Sequence, residues 1–238
     1  MSHHLSRREF TKAGAASAVA VSLPSTAAVA RRTDKIRVGF VGVGNRGSQL
    51  MKAFATQEDC EFVGVADVYQ PYRERARQNF GANLVVVEDY RKLLDRKDID
   101  AIVIATPDHW HAIQAIAAMS AGKDVYVEKP LSVTIHEGRQ MVEAAKRYNR
   151  ISQVGLHRRS MKLYRSLSDF MKTDQLGKIT VSRAYRLNNM FPDGIGQMSH
   201  QNPPSDLNWN LWLGPRPKQA YQENIAPYKF RWWQRFSS

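Results

Sequence analysis

The stretch Gly42-Val43-Gly44-Asn45-Arg46-Gly47 decides the fold of this chain. It is a G-x-G-x-x-G turn that follows an apolar run, Ile36–Val41, and opens a segment with helical periodicity. In this setting the first glycine permits a tight turn, the second lets the backbone approach a pyrophosphate, and the third allows close helix-strand packing. The helix N-terminus adds N–H donors and a positive dipole. The pattern therefore predicts a dinucleotide-binding turn, with Gly42, Gly44, Asn45, Arg46 and Gly47 in contact with the cofactor.

The chain from residue 35 to about residue 157 alternates short β-branched runs with amphipathic helical segments. That alternation is typical of a parallel sheet with helices on both faces. We therefore predict an α/β fold, a Rossmann doubly wound parallel sheet of strand order 3-2-1-4-5-6, over residues 35–157. The predicted strands cover residues 36–41, 62–66, 84–87, 101–105, 124–127 and 151–156.

Residues 158–238 have a different pattern. A helix is predicted around residues 163–171, and residues 178–187 alternate as a strand of an antiparallel sheet does. The remainder is rich in Pro, Asn, Gln and Trp and has no second predicted strand. We expect the N-terminal part of a substrate and oligomerisation domain, an α+β domain with a mainly antiparallel open sheet, which the 238 residues leave incomplete.

The first thirty residues have the features of an export signal. The sequence S-R-R-E-F-T-K at residues 6–12 precedes an Ala-rich, weakly apolar stretch and then Ala28-Val29-Ala30, an A-x-A cleavage site. Residues 1–30 are therefore predicted to be a twin-arginine signal peptide, which implies the twin-arginine export machinery as a partner and a periplasmic location. Pro24 and the many small residues disfavour a membrane anchor, so no transmembrane segment is predicted.

Composition and charge narrow the function classes. Apolar residues make up 43% and charged residues 24% of the chain, as is typical of a globular protein. The formal net charge is +13, but basic and acidic residues are interleaved, which argues against a nucleic-acid partner and leaves an anionic substrate or surface open. Cys60 is the single cysteine, so the chain can form no internal disulfide and no cysteine-based metal site.

Asp67 lies at the end of the second predicted strand, 20 residues after Gly47. An acidic side chain at this place accepts hydrogen bonds from the adenosine ribose hydroxyls, so Asp67 is a predicted cofactor contact and NAD is the predicted cofactor. The Asp67 carboxylate would repel a 2′-phosphate, although the nearby Arg73 keeps NADP open as an alternative.

Two polar loops are predicted after the fourth and fifth strands. They read Thr106-Pro107-Asp108-His109-Trp110-His111 and Glu128-Lys129-Pro130, and both lie at the carboxyl edge of the sheet near the topological switch point. We expect them to border the nicotinamide crevice, with Thr106, Pro107, His111 and Glu128 contacting the cofactor and His109 contacting substrate. The two histidines have no third ligand and no zinc-type spacing, so no metal site is predicted.

The turn G-V-G-N-R-G, the loop A-T-P-D-H-W-H and the tripeptide E-K-P together resemble the glucose-fructose oxidoreductase, inositol dehydrogenase and MocA (Gfo/Idh/MocA) family. The resemblance extends from residue 36 to about residue 238 and includes the L-W-L-G-P run at residues 211–215. It implies an NAD(P)-dependent redox reaction at a sugar or cyclitol carbinol, with Lys129 as the catalytic residue. It also implies a cis peptide before Pro130 and a homo-oligomer in the full-length protein.

Lys129 at the crevice can hydrogen-bond the substrate oxygen and carry its proton while hydride leaves the carbon. Its alternative role is an ion pair with a phosphate or at the surface. After the sixth strand this chain has His157-Arg158-Arg159, where the family more often has Asn or Gln before an Arg pair. His157 is thus either a contact to nicotinamide or substrate or a packed structural residue, and Arg159 is the better substrate candidate.

The family's Asp-x-x-x-His segment, whose histidine is the acid/base partner of the lysine, does not occur before Ser238. We therefore expect this chain to bind cofactor without turnover and to expose Trp232 and Trp233. The resemblance implies an exported oxidoreductase acting on a sugar or cyclitol. Two alternatives stay open. One is an NAD-using glycosidase of the same family, in which transient oxidation acidifies a neighbouring C–H and permits elimination; the other is a non-catalytic NAD(P)-binding sensor or partner protein.

Overall fold

The computed structural model describes residues 35–185 and 193–237. Among them are the six strands β1 (Ile36–Val41), β2 (Cys60–Ala66), β3 (Val85–Val87), β4 (Ala101–Ile104), β5 (Asp124–Glu128) and β6 (Ser152–Gly155). They form one sheet of order β3-β2-β1-β4-β5-β6, in which every neighbouring pair is parallel. The predicted Rossmann sheet is therefore confirmed, with its strand order.

The centre of the sheet is apolar because it is covered on both faces. Val38 and Phe40 on β1, and Ile102 and Ile104 on β4, are each at most 2% exposed. Side chains at alternate strand positions belong to two separate apolar clusters. Strands β1 and β4 lie side by side, so their carboxyl ends meet where the strand order reverses, which is the position of the ligand crevice in this fold.

Helices connect the strands, and the start of the helix α5 (Ile135–Tyr148) follows from a capping box in the sequence. The Oγ1 of Thr134 accepts a hydrogen bond from the N–H of Glu137 (3.2 Å), whose carboxylate accepts one from the N–H of Thr134 (3.1 Å). No helix of the described residues is both long and apolar enough to cross a membrane. The helices are α1 (Asn45–Phe54), α2 (Gln70–Phe80), α3 (Arg91–Leu94), α4 (Asp108–Ser120), α5 (Ile135–Tyr148), α6 (His157–Ser160), α7 (Lys162–Met171) and α8 (Trp209–Leu213), with 3-10 turns at Asp174–Leu176 and Lys229–Trp232.

Residues 108–111 of the T-P-D-H-W-H stretch are the first residues of α4 rather than part of a loop. Pro107 is the extended residue before α4, and Asp108 begins the helix with an acidic side chain in its first turn, which complements the helix dipole. His109 and His111 are therefore two residues apart on a helix, and residues with this spacing do not share a face. The two histidines belong to different surroundings.

Residues 178–185 form no strand, contrary to the strand predicted at residues 178–187. Their side chains are exposed, and no strand of the described residues lies beside them. A lone strand leaves its backbone N–H and C=O groups without partners, so side-chain alternation alone does not produce one. Residues 186 and 187 lie outside the described residues, as does the predicted signal peptide at residues 1–30.

Residues 206–237, named the edge segment, pack against the carboxyl edge of the sheet. The N–H of Gln70 donates to the carbonyl of Asp206 (2.9 Å), and the N–H of Asn208 donates to the carbonyl of Val68 (3.0 Å). Aromatic side chains such as Trp212 form a third apolar cluster with the residues that follow β2. The sequence pattern placed this stretch in a substrate domain and did not predict the contact.

Two tryptophans of the edge segment differ in burial. Trp232 is 48% exposed, as expected. Trp233, expected to be exposed, is partly buried against the third cluster, and its Nε1–H donates to the carbonyl of Asn224 (2.8 Å). The expected exposure of Trp233 was therefore wrong, because its neighbours in the edge segment cover it.

Candidate functional site

The turn between β1 and α1 has the geometry of a pyrophosphate site. Gly42 has φ +80°, in the left-handed region that favours glycine, and its N–H donates to the carbonyl of Ala66 (2.8 Å). A Cβ on Gly47 would collide with the carbonyl oxygen of Gly42, and a Cβ on Gly44 would lie 2.9 Å from the Tyr72 ring. No side chain of the described residues caps α1, which leaves its first N–H groups as donors for an anion. The turn fits a dinucleotide.

A cavity of about 670 Å³ lies along the carboxyl edge beside this turn. Its volume is within the range of ~300–1,000 Å³ that is typical of ligand pockets. Gly47, His109 and Arg159 lie outside its lining, whereas the other predicted site residues are brought together on its walls. Those residues are Gly42, Gly44, Asn45, Arg46, Asp67, Thr106, Pro107, His111, Glu128, Lys129 and His157.

Asp67 connects the glycine turn to the loop after β2. Its Oδ2 accepts a hydrogen bond from the N–H of Val43 (2.8 Å), and its Oδ1 accepts one from the N–H of Tyr69 (2.9 Å). Burial raises the pKa of the Asp67 carboxyl to about 6, although these two bonds and the nearby arginines act in the opposite direction. Arg73, the residue because of which NADP remained an alternative cofactor, donates through Nη1 to the backbone carbonyl of Asp67 (2.6 Å).

Lys129 lies at the end of β5, on the other side of the switch point from Asp67. The Lys129–Pro130 peptide bond is cis, as the family resemblance implied. The backbone N–H of Lys129 donates to Oε2 of Glu128 (3.0 Å), and Oε1 of Glu128 accepts from Nε of Arg46 (2.6 Å). The Nη2 of Arg46 lies 3.4 Å from Nδ1 of His157. A buried carboxylate therefore joins the glycine turn to the predicted catalytic loop.

His111 holds two backbone segments together at the cavity wall. Its Nδ1 lies 2.6 Å from the carbonyl oxygen of Pro130, and its Nε2 lies 2.9 Å from the carbonyl oxygen of Thr106. A neutral imidazole has one N–H and an imidazolium has two, so at least one of these carbonyls accepts a hydrogen bond. Because both ring nitrogens face protein atoms, His111 shapes the site through the backbone of its neighbours, which the sequence did not indicate.

His109, predicted as a substrate contact, is placed elsewhere by the structure. It is 2% exposed, its Nε2 lies 3.0 Å from the carbonyl oxygen of Trp212, and its ring packs on those of Trp212 and Phe236, with centroid distances of 5.2 and 5.1 Å. Burial lowers the pKa of the ring to about 4. His109 therefore attaches the edge segment to α4.

Arg159 lies exposed on α6. The described residues contain no group of three or more side chains that could hold a metal ion.

The edge segment supplies cavity residues that were not predicted from the sequence. Tyr228 and Arg231 line the cavity, with Phe230 and Trp232 beside them. The aromatic run F-R-W-W at residues 230–233 was the available signal, but it was interpreted as exposed apolar surface.

The parallel sheet, the glycine turn at its switch point and the acidic residue after β2 together define a nicotinamide dinucleotide-binding Rossmann protein.

A family model described as "Oxidoreductase family, NAD-binding Rossmann fold" matches residues 36–156, which is half of the chain. The chain therefore belongs to the Gfo/Idh/MocA oxidoreductase family, whose cofactor is a nicotinamide dinucleotide.

Relatives and solved structures agree with this assignment. A "Glycosyl hydrolase family 109 protein" of Shewanella sp. (strain W3-18-1) is 36% identical over an alignment 173 positions long, and the match covers 61% of this chain and 38% of that protein. An NAD-binding protein from Listeria innocua is 30% identical with a TM-score of 0.57, over 61% of this chain and 42% of that one. The apo scyllo-inositol dehydrogenase from Lactobacillus casei is 28% identical, also with a TM-score of 0.57, over 62% and 44%. This chain thus spans well under half the length of these proteins.

Proposed function

We propose that this chain is the cofactor-binding part of an exported NAD(P)-dependent oxidoreductase that acts on a sugar or cyclitol carbinol. The observation that carries the proposal is the position of Lys129, which lines the cavity at the end of β5, on the nicotinamide side of the switch point. When bound, the nicotinamide supplies a hydride acceptor or donor. The family membership and the similarity to a scyllo-inositol dehydrogenase support this class of reaction.

Lys129 is the proposed catalytic residue. Its ammonium group can donate a hydrogen bond to the substrate oxygen, and in its neutral form it can take the proton of the carbinol. The backbone of Lys129 is held by Glu128, which is ion-paired with Arg46. His157 lies beside Arg46 on the cavity wall and is the proposed contact to substrate or to the nicotinamide end of the cofactor.

The glycine turn and Asp67 are proposed to hold the rest of the dinucleotide. Gly42, Gly44 and Asn45 line the cavity where N–H groups of α1 can bind the pyrophosphate. The Asp67 carboxylate can accept hydrogen bonds from the adenosine ribose hydroxyls, which favours NAD. Thr106 and Pro107 border the middle of the cavity. Together these residues would orient the cofactor so that its reactive end lies near Lys129.

Replacing Lys129 tests the proposal. We expect Lys129→Ala to lower kcat for a sugar or cyclitol by at least about a hundredfold, because a positioned proton-transfer group contributes about 10²–10⁴-fold. NADH formation by the intact protein measures the loss, and NAD affinity, measured separately, should change by less than about threefold if the lysine acts on substrate. Lys52→Ala, at an exposed position on α1, is the matched control. Full activity in Lys129→Ala would contradict the assignment.

The twin-arginine pattern at residues 6–12 supports the export that we propose. Free NAD is scarce outside the cytoplasm, so we propose that the cofactor is loaded before export, stays bound and is recycled by a second substrate. NAD(H) should then be released when protein purified from the periplasm is gently denatured. Protein isolated from that compartment without any nucleotide would contradict retention, and retention of the protein in the cytoplasm would contradict export.

An NAD-using glycosidase is the second candidate, favoured by the 36% identity to a glycosyl hydrolase family 109 protein. In such a reaction transient oxidation of a carbinol would acidify the adjacent C–H, the aglycone would leave by elimination, water would add to the double bond, and return of the hydride would restore the carbinol. Net cofactor reduction separates the candidates. Cleavage of a glycoside with catalytic NAD and no accumulation of NADH would favour the glycosidase, whereas stoichiometric NADH would favour the dehydrogenase.

A further inference from the structure

The edge segment is attached to the side of the sheet where the adenosine half of a dinucleotide lies. Its Asp206 carbonyl binds the N–H of Gln70 after β2, and Nδ2 of Asn208 donates to Oε2 of Glu88 after β3 (3.0 Å). Strands β2 and β3 lie on one side of the switch point between β1 and β4, and in a doubly wound sheet the adenosine binds on that side. The edge segment is therefore attached beside this half of the cavity.

The attachment extends to α4 and is closely packed. Nε1 of Trp110 donates to the carbonyl of Trp212 (3.0 Å), and the Oγ of Ser237 donates to Oδ2 of Asp108 (2.5 Å). Gly214 has φ +55° and lies so close to the Trp110 ring that a Cβ would collide with it. The segment is thus held at both of its ends, so the chain between them is confined to the cavity edge.

Tyr228 and Arg231 are the part of the segment best suited to contact a flat ligand. The Arg231 guanidinium carbon lies 3.9 Å from the centroid of the Tyr228 ring, and both residues line the cavity. Tyr228 is 50% exposed, so much of its ring is uncovered. Tyr72, on the other wall, lies against the glycine turn at Gly44. The Tyr72 ring meets the Tyr69 ring edge-on at a centroid distance of 4.9 Å, and Tyr69 packs against the third apolar cluster, so Tyr72 lies next to the edge segment.

We propose that Tyr228 and Arg231 form the outer wall of an adenine subsite whose inner wall is Tyr72, so that the edge segment is part of the cofactor site. Aromatic rings and guanidinium planes both stack on nucleobases, and the loss of one stacking contact lowers the binding affinity by a measurable amount. The inference rests on the nicotinamide dinucleotide of the proposed function and is independent of its sugar chemistry. It also explains why a chain segment beyond the Rossmann sheet carries uncovered aromatic rings over the cavity.

Binding of two cofactor fragments to the 238-residue chain tests the proposal by calorimetry. ADP-ribose contains the adenine ring and nicotinamide mononucleotide does not. We expect Tyr228→Ala to raise the Kd for ADP-ribose about tenfold, or ~1.4 kcal/mol, and to leave the Kd for nicotinamide mononucleotide unchanged. Tyr228→Phe, which keeps the ring, should bind ADP-ribose as the wild type does. Tyr164→Ala, at a comparably exposed tyrosine on α7 outside the cavity, is the control.

Three results would overturn the adenine subsite. They are unchanged ADP-ribose affinity in Tyr228→Ala, equal losses for both fragments, and no ADP-ribose binding by the wild type. Should Tyr228→Ala unfold, Tyr228→Leu keeps apolar bulk without a flat ring, and it must still lose ADP-ribose affinity by several-fold. No turnover is measured, so an inactive protein that binds ADP-ribose through Tyr228 would contradict the proposed enzyme and leave this subsite supported.

Discussion

The Rossmann sheet and the edge segment are stabilised in different ways. The sheet is a ladder of six parallel strands whose apolar positions repeat at regular intervals. The described part of the edge segment has one short α-helix, α8, and it is held by packed aromatic rings and by hydrogen bonds from His109 and Trp110 to one backbone carbonyl. One wall of the cavity is therefore held by the repeated βα units of the sheet, and the wall formed by the edge segment is held by a few long-range contacts. We expect the two walls to respond differently to mutation.

Removing Trp212 should have the largest effect and should separate the two walls. Trp212 is 3% exposed, stacks on Trp209 with centroids 4.9 Å apart, and meets the Phe236 ring at 4.9 Å. Truncation of a buried tryptophan to alanine costs about 3–5 kcal/mol. In Trp212→Ala we expect amide hydrogen exchange to accelerate throughout the edge segment while β1 and β4 stay protected.

Trp232→Ala is the matched control for this experiment. Trp232 is 48% exposed, so its removal should change the free energy of unfolding by less than about 1 kcal/mol. If Trp212→Ala lowered protection equally in β1, β4 and the edge segment, the two regions would unfold as one unit, and the contrast between the two walls would disappear.

A methyl group at Gly47 should have the next largest effect, this time on the wall formed by the sheet. Its Cβ would meet the carbonyl oxygen of Gly42, so the turn must open. Overpacking of this kind costs about 1–3 kcal/mol, and we expect Gly47→Ala also to lower NAD affinity at least about tenfold. Thermal unfolding and calorimetry measure the two losses.

Gly138→Ala gives the contrast, because Gly138 lies in α5 and its nearest neighbour would be the flexible hydroxyl of Ser132 at 3.1 Å. Alanine is the better helix former by about 1 kcal/mol, so this variant should be as stable as the wild type or more so. If Gly47→Ala bound NAD as tightly as the wild type, the turn could open without loss of binding. Close packing of helix and strand would then not require a glycine at the third position of the turn.

The difference between the two regions also explains what the sequence could predict. The strands and their order follow from periodicity and spacing within a repeated βα unit, and the structure confirms them. It also places Gly42, Gly44 and Asp67 on the cavity wall. The edge segment has no such period. Its position depends on residues more than a hundred apart in sequence, such as His109 and Trp212, and a single sequence contains no signal for that pairing.

The same physical difference accounts for individual errors at the site. His109 and His111 were both predicted to border the crevice because they were placed in one loop, but on α4 they have different surroundings, and of the two only His111 lines the cavity. The strand predicted at residues 178–187 depended on alternation, and alternation forms a strand only where a neighbouring strand accepts its hydrogen bonds. The position of a site residue could be predicted where neighbouring residues in the sequence determine it, and could not where it depends on contacts with distant residues.

The smallest predicted effect is a pH dependence of cofactor binding through Asp67. Burial raises the pKa of this carboxyl to about 6. The ribose hydroxyls donate to the ionised carboxylate, so NAD affinity should fall as the pH drops through about 6, by about tenfold between about pH 7 and about pH 5. Calorimetry across this range measures the change, and Asp67→Asn should bind NAD more weakly with a flat profile over the same interval.

The same pKa shift acts on folding with the opposite sign. Because the folded pKa lies above the ordinary value of ~3.9, the folded chain holds the proton more tightly than the unfolded chain does. The contribution of Asp67 to stability is therefore fully present below about pH 3.9 and is lost as the pH rises through about 6. His109 in the edge segment behaves in reverse, since burial lowers its pKa to about 4 and acid destabilises its buried ring. An acid-induced loss of affinity that persisted in Asp67→Asn would therefore assign the effect to the edge segment and not to the ribose contact.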